Sequence, residues 1–277
     1  MWLPWDIASQ IALVIAICVM IAGIALSPER LRSIEAVSNT GIEVARVLVL
    51  YSIWQFIRRK TITKVAGAQE HGQWVWDFEQ ALHFPSELAL QRALIDHDLV
   101  MQSLNVYYAG VHVPAMGLCL VWLFWRHRDR YAAVRNVLAM TILGVLLIQM
   151  IPVAPPRLMP QLGFVDAGLL YDQSVYGRGG SGISNQLAAM PSMHYAWCFI
   201  VCLAVLRISR SRWRWLIVPH PILTALAVTA TANHWWLDGV VAGIVLTVAI
   251  AAQLAFARVA PTLRALVLRP VAAVDPA

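Results

Sequence analysis

A short polar cluster lies between two long apolar segments near the carboxyl end of the chain. It reads ANHWWLD over residues 232–238 and separates the apolar residues 215–231 from 239–257. A charge at the centre of a membrane helix costs roughly 2.5 to 3.5 kcal/mol on insertion scales, so polar groups at this depth indicate a role. Because His234 and Asp238 are four residues apart, a helix through Trp235 would place them on one face, within hydrogen-bonding reach.

This His–Asp pair has two interpretations. A carboxylate that holds one nitrogen of an imidazole leaves the other nitrogen free for chemistry. The alternative is a turn at the membrane interface, with two anchoring tryptophans and a pair that only satisfies its own hydrogen bonds. The rest of the sequence has to decide between the two.

The composition indicates a membrane protein. Hydrophobic residues make up 60% of the 277 residues and charged residues only 13%, which is more apolar than a soluble domain. At about 20 residues per crossing, this length allows six or seven spans. We therefore predict an all-α integral membrane protein with six or seven transmembrane helices, an interfacial amphipathic helix and a catalytic helical core.

The sequence divides into four regions. Residues 1–64 predict N-terminal membrane helices, and the count is seven spans if 42–57 crosses the bilayer and six if it does not. Residues 65–98, broken at Pro85, mix acids, tryptophans and leucines too evenly to span, which predicts an amphipathic segment in the interface. The catalytic transmembrane core follows over 99–260, and 261–277 form a cytoplasmic tail.

Basic residues orient these helices. The net charge of +6 comes from arginine-rich short loops, a pattern that orients membrane proteins and does not indicate nucleic-acid binding. The loops 126–130 and 207–214 and the tail all fall on one side, which the positive-inside rule makes cytoplasmic. The long loop 154–189 and the turn 232–238 then face the extracytoplasmic side, as expected for a protein of a bacterial inner (plasma) membrane.

Three segments on that outer side carry groups suited to phosphate chemistry. They read PPRLMP at 155–160, AMPSMHYAW at 189–197 and ANHWWLD at 232–238. We expect Pro191 at the first position of a helix, whose free N–H groups attract anions, with Ser192 and His194 pointing into the same site. Arg157 adds a planar cationic fork for phosphate oxygens.

Such a set of groups predicts phosphoryl transfer without a metal or other cofactor. The four cysteines all lie in apolar segments, with no CxxC pair and no histidine at zinc-ligand spacing, so they are interpreted as small hydrophobic residues. They are Cys18, Cys119, Cys198 and Cys202.

The ordered set of an arginine, PSMH and HWWLD resembles the three motifs of the type 2 phosphatidic acid phosphatase superfamily, which includes lipid phosphate phosphatases. The motifs PPRL, PSMH and NHxxxD are most similar to those of the branch that contains inositol phosphorylceramide synthase. The resemblance covers residues 99–257, and its specificity lies in the ordered set, because PSxH or HxxxD alone is weak.

The resemblance implies a role for each matching residue. His234 would be the nucleophile that takes the phosphoryl group, Asp238 would orient it, and His194 would protonate the leaving oxygen. Arg157 and Ser192 would hold the phosphate oxygens.

The sequence also departs from the family pattern. Met150 and Val228 stand where the family has a lysine and an arginine, so two cationic phosphate ligands are missing. Leu158 and Met193 replace a proline and a glycine. The candidates to compensate are polar residues near the same segments, and each of them could equally be structural. They are Asn233, Asn185, Arg178, and His112 with Asn105 and Tyr108.

These observations predict a lipid phosphatase that hydrolyses a lipid phosphomonoester or pyrophosphate through a phosphohistidine. Its partners would be the lipid phosphate substrate and the bilayer, with no nucleic acid. One alternative is a phosphotransferase that moves a phospho-headgroup, such as inositol phosphate, between lipids. The alternative of another class is a non-catalytic transporter or membrane scaffold, against which the lack of an inverted repeat counts.

Overall fold

The computed structural model describes residues 66–174 and 186–267, with side chains as far as residue 259, and the isolated positions 43, 49 and 52. Within these ranges the regular secondary structure is helical, as predicted, apart from one isolated bridge between Val153 and Ala188. The helices are α1 (Ala68–Ala81), α2 (Glu87–Leu94), α3 (Asp98–Gly110), α4 (His112–Arg126), α5 (Arg128–Ile148), α6 (Ala167–Leu170), α7 (Met193–Ile208), α8 (Pro219–Ala230) and α9 (Trp236–Val267). Short 3-10 turns cover Pro156–Leu158, Pro160–Leu162 and Arg212–Ile217.

Two of the described helices are long and apolar enough to cross a membrane. They are α5 and the part of α9 over Trp236–Val259. Helices α3 and α4 together form a third candidate span. The described residues therefore support a helical membrane protein, while the predicted N-terminal helices of 1–64 lie outside them, apart from the three isolated positions.

The third candidate span is bent. Helices α3 and α4 meet at Val111 at an angle of 46°. Pro114 in the first turn of α4 explains the bend, because it cannot donate a hydrogen bond to the carbonyl of Gly110 and its ring crowds that carbonyl. The bend leaves His112 at the start of α4, buried inside the protein.

Helix α7 is the centre of the bundle. Its sequence is apolar all round, which is typical of a helix surrounded by protein. It packs against α4, α5, α8 and α9. The cysteines of the described bundle, Cys119, Cys198 and Cys202, are buried and unpaired, as predicted for small hydrophobic residues.

Helices α1 and α2 form the predicted amphipathic segment, and the break falls at the turn that contains Pro85. Ser86 begins α2, since its Oγ accepts a hydrogen bond from the backbone N–H of Ala89 at 3.2 Å. The outer face of α1 exposes Trp74 and Phe78. The inner face is buried against the α8–α9 turn, so these helices form one wall of the site.

The α8–α9 turn joins the two helices over Thr231 to Trp235. Ala232 adopts a left-handed conformation with φ of 55°, a strained backbone for an alanine. Its carbonyl accepts the backbone N–H of Arg157 at 2.8 Å, which attaches the turn to the long loop. Trp235 is fully buried and donates from Nε1 to the carbonyl of Ala154 at 3.0 Å. It is a core residue and does not act as the interface anchor considered above.

Candidate active site

His234 and Asp238 are in contact, as their spacing predicts. His234 Nδ1 lies 2.9 Å from Asp238 Oδ2 and 3.0 Å from the carbonyl oxygen of Ala189. Both neighbours are acceptors, so Nδ1 must carry the hydrogen and Nε2 keeps the lone pair. The fold therefore holds His234 in the tautomer that a nucleophile needs.

The local backbone produces this arrangement. Helix α9 begins at Trp236, so His234 stands just before the helix and Asp238 lies in its first turn. Asp238 Oδ2 also accepts the backbone N–H of Trp235 at 3.0 Å. One carboxylate thus caps the start of α9 and orients the imidazole, and it has no exposed surface.

His194 faces the free nitrogen of His234. Its Nδ1 lies 3.3 Å from His234 Nε2. The ring of Tyr108 covers His194 at a centroid distance of 4.3 Å. Two nitrogens 3.3 Å apart leave no room for a phosphorus atom between them, so a bound phosphate must separate the two imidazoles.

His112 supports His194 from the other side. The two rings meet edge to face with centroids 4.8 Å apart. His112 Nε2 lies 3.1 Å from Thr224 Oγ1 on α8. These contacts place His112 beside the second imidazole, and its predicted role as a phosphate ligand stays a prediction.

Arg157 is buried within the predicted cluster. Its Nε donates to Asn233 Oδ1 at 3.1 Å and its Nη1 donates to Asp166 Oδ2 at 2.9 Å. Asn233 in turn donates from Nδ2 to Thr231 Oγ1 at 2.8 Å. The guanidinium is therefore fixed in direction next to His234, with Asp166 as its counter-ion.

Ser192 caps helix α7, whereas the sequence analysis placed Pro191 at its first position. The helix begins at Met193, and Ser192 Oγ accepts the backbone N–H of Tyr195 at 3.4 Å. Pro191 therefore precedes the cap, because the serine side chain can take over an unpaired helical N–H and a proline cannot. The backbone N–H of Ser192 donates to the carbonyl of Asp238 at 3.3 Å, so α7 and α9 start side by side.

The three segments named in the sequence analysis therefore converge on one site. A small polar pocket opens beside them, with Asn105, Tyr108, Gln173 and Asn233 among its lining residues. Among the described residues, no group of three His, Cys, Asp or Glu side chains is placed to hold a metal ion. Two of the candidates, Asn185 and Arg178, lie outside the described residues.

The two positions that lack the expected cations differ in their surroundings. Met150 is exposed at the end of α5, whereas Val228 is fully buried and packs in a cluster with Tyr108 and Tyr195. The carbonyl of Val228 accepts the backbone N–H of His234 at 3.1 Å. Val228 thus supports the turn that holds His234.

Sequence reasoning missed three acidic residues around the site. Asp166 pairs with Arg157, and Glu79 and Glu87 accept hydrogen bonds from the first turn of α9. Asp166 carried one signal, since an acid in a long loop after a predicted phosphate-binding arginine is a candidate counter-ion. Glu79 and Glu87 carried none, because their partners are about 150 positions away in the sequence.

Comparison with protein families identifies the chain. Residues 73–253, more than half of its length, match the PAP2 superfamily. The chain therefore belongs to the PAP2 superfamily, whose members are phosphatases or phosphotransferases. The searches of curated proteins and of solved structures gave no match. The matched range includes every residue described in the site.

Proposed function

We propose that the protein is a metal-independent lipid phosphatase that hydrolyses a lipid phosphomonoester or pyrophosphate through a phosphohistidine at His234. One observation carries the proposal. Two acceptors, Asp238 and the Ala189 carbonyl, hold the hydrogen on Nδ1, so the lone pair of Nε2 faces His194. A neutral imidazole in this state is a nucleophile near neutral pH.

In the first step, His234 Nε2 attacks the phosphorus and the bond to the leaving oxygen breaks. Protonated His194 gives its proton to that oxygen, so the lipid alcohol leaves neutral. His234 gains positive charge as the P–N bond forms, and the Asp238 carboxylate stabilises it. The products of this step are a phosphohistidine and a neutral His194.

In the second step, water attacks the phosphorus and the P–N bond breaks. His194 takes the proton from the water and returns to its starting state. His234 leaves as a neutral imidazole with its hydrogen still on Nδ1. For a phosphomonoester, the sum of the two steps is lipid phosphate plus water giving lipid alcohol plus inorganic phosphate. For a pyrophosphate, the leaving group is the lipid monophosphate in place of the alcohol.

The phosphate oxygens need donors during both steps. We assign this task to Arg157, the Ser192 hydroxyl and Asn233, with the N-terminus of α7 adding backbone N–H groups. Arg157 and Asn233 are bonded to each other, so a phosphate would meet donors that are already oriented. Such preorganisation stabilises charge that develops in the transition state.

We place this site at the extracytoplasmic face of a bacterial inner membrane, in a protein of six or seven spans. The support is the distribution of arginines. The basic stretches 126–130 and 207–214 lie at the ends of α4 and α7 that are distant from His112 and His194. The positive-inside rule then puts the imidazoles on the outer side.

A phosphotransferase is the second candidate. The small polar pocket beside Tyr108 and Asn233, of about 10 Å³, is lined by amide and hydroxyl groups and by the Asp166 carboxylate, which can hydrogen-bond one hydroxyl group of an acceptor. A lipid alcohol would then replace water in the second step. The resemblance to inositol phosphorylceramide synthase favours the same reaction.

An activity panel tests both candidates. The purified protein is incubated with phosphatidic acid, a polyprenyl pyrophosphate or a phosphoinositol lipid, each with excess EDTA and with or without a lipid alcohol. Released phosphate is measured and products are identified by mass spectrometry. His234→Asn is the inactive variant, and Asp129→Asn, at an exposed acid on α5, is the control.

Each outcome has a distinct meaning. Phosphate release in EDTA that His234→Asn abolishes supports the phosphatase, and a headgroup-bearing product formed only with the alcohol supports the transferase. Full turnover by His234→Asn excludes the mechanism. If neither the wild type nor any variant converts any of the lipids, the result favours the transporter or scaffold.

A further inference from the structure

Two glutamates are buried directly behind the nucleophile. Glu79 on α1 and Glu87 on α2 have no exposed surface. Glu79 Oε1 accepts the backbone N–H of Leu237 at 2.6 Å, and Glu87 Oε1 accepts that of Trp236 at 3.3 Å. Both N–H groups belong to the first turn of α9, the turn that carries Asp238.

Three carboxyl groups therefore bind three successive backbone N–H groups at the start of α9. Asp238 takes the N–H of Trp235, and the two glutamates take the next two. A helix N-terminus leaves these N–H groups unpaired and carries partial positive charge, so acidic acceptors stabilise it. All three acids come from different helices, so this contact joins α1, α2 and α9.

The Oε2 atoms of the two glutamates bear on the charge of the pair. Both Oε2 atoms are buried and receive no donor from another described side chain. Their Oε1 atoms accept from adjacent backbone N–H groups, so the two carboxyl groups lie close together. Two buried carboxyl groups at close range do not both ionise at neutral pH, so the pair holds one proton.

The proton is assigned to Glu79. Burial is the main cause that raises the pKa of Glu79 to about 10, followed by the carboxyl group of Glu87 and the negative charge of Asp238. The titratable groups around the pair are Asp238 on α9 and Tyr195 on α7. At neutral pH the pair then carries one negative charge.

We propose that Glu79 and Glu87 are positioning residues of the active site, which together hold the first turn of α9 so that Asp238 stays on His234. They touch neither substrate nor nucleophile. Loss of the pair lets the start of α9 move, and a displacement of about 1 Å at a reacting group can cost roughly 10²-fold in rate. This inference rests on the proposed function of His234.

The test compares two substitutions at one position. Glu79→Gln keeps an oxygen for the N–H of Leu237 and offers an amide N–H to Glu87, so we expect kcat within about threefold of wild type. Glu79→Met keeps the length and removes both polar atoms, so we expect kcat to fall roughly 10²-fold with KM little changed. Asp77→Asn, at the exposed acid of the same helix, is the control and should match wild type.

The pH profile gives a readout that a merely structural role would not move. Wild-type kcat should fall as the pH rises through about 10, where the proton of the pair is lost. Glu79→Gln, and the double variant Glu79→Gln with Glu87→Gln, should lose that fall because no carboxyl pair remains to ionise. The assays use whichever lipid of the activity panel is turned over.

Two results would overturn the inference. One is wild-type kcat in a folded Glu79→Met protein. The other is an unchanged alkaline fall in the double variant, which decides the matter even if Glu79→Met fails to fold. His234→Asn, measured in parallel, distinguishes these results from failure of the proposed function. An active His234→Asn protein would show that His234 is not the nucleophile.

Discussion

Replacement of Asp238 by asparagine tests how the structure prepares the nucleophile. The aspartate Oδ2 accepts two hydrogen bonds, from His234 Nδ1 at 2.9 Å and from the backbone N–H of Trp235 at 3.0 Å. An asparagine has the same shape but only one of its two terminal atoms is an acceptor. If that oxygen takes the place of Oδ2 it accepts from both donors, but the NH₂ group then lies at the buried position of Oδ1, and the negative charge is lost.

Either orientation of the asparagine has a cost. If its NH₂ group takes the place of Oδ2, it faces Nδ1 and favours the tautomer with the hydrogen on Nε2, which is not nucleophilic. The same change in Ser-His-Asp triads lowers kcat about 10⁴-fold. If the asparagine oxygen takes that place, the buried NH₂ group has no acceptor, at about 1 to 3 kcal/mol of stability, and no carboxylate charge remains to stabilise a positive His234.

We expect kcat to fall about 10²- to 10⁴-fold, or about 3 to 5 kcal/mol in activation free energy. The Ala189 carbonyl, which also accepts from Nδ1, keeps part of the correct tautomer and sets the lower figure. The assay measures kcat, KM and melting temperature beside Asp129→Asn as control. A folded Asp238→Asn protein that retains more than a tenth of wild-type kcat would refute the reasoning.

Three further changes test other parts of the structure. Arg157→Lys removes the guanidinium that donates to both Asn233 and Asp166. Loss of one charge-assisted hydrogen bond costs about 1.5 to 3 kcal/mol, so KM should rise about 10- to 100-fold in steady-state assays. Gly144→Ala should lower the melting temperature by overpacking, since its Cβ would meet Val245 Cγ1 at 2.8 Å, whereas Gly117→Ala meets nothing within 4 Å and should not. Glu79 ionises near pH 4.5 in the unfolded chain and near 10 in the fold, so stability should fall as the pH rises between these values. Glu79→Gln should reduce this dependence of stability on pH, and its melting temperature should exceed that of wild type at about pH 8 to 9. Equal slopes of melting temperature against pH in the two proteins would contradict this prediction.

The contacts that the sequence predicted are local or belong to a known ordered motif. His234 and Asp238 are one helical turn apart, so their hydrogen bond follows from spacing alone. The meeting of the segments around Arg157 and His194 came from the resemblance, because local patterns do not give distances between segments. The class of protein could therefore be predicted well before the geometry was known.

The contacts that the sequence could not predict join distant positions. Glu79 and Glu87 look like the polar face of an amphipathic helix, and only the α8–α9 turn packed on them shows that they are buried. Asp166 is only nine residues from Arg157, but their contact depends on the path of the loop between them, which the sequence does not give. The bend at Val111 is caused by Pro114. It could not be predicted from hydropathy, because hydropathy indicates the length of an apolar segment and not the direction of its helix axis.

The account depends most on a covalent bond between His234 and phosphorus. The direct measurement is to mix the protein with a lipid carrying ³²P in its phosphate, quench with alkali within one turnover and map the label by mass spectrometry. The account predicts an alkali-stable, acid-labile phosphohistidine at His234 that is absent from His234→Asn. Turnover with no label, or with the label on another residue, would contradict it.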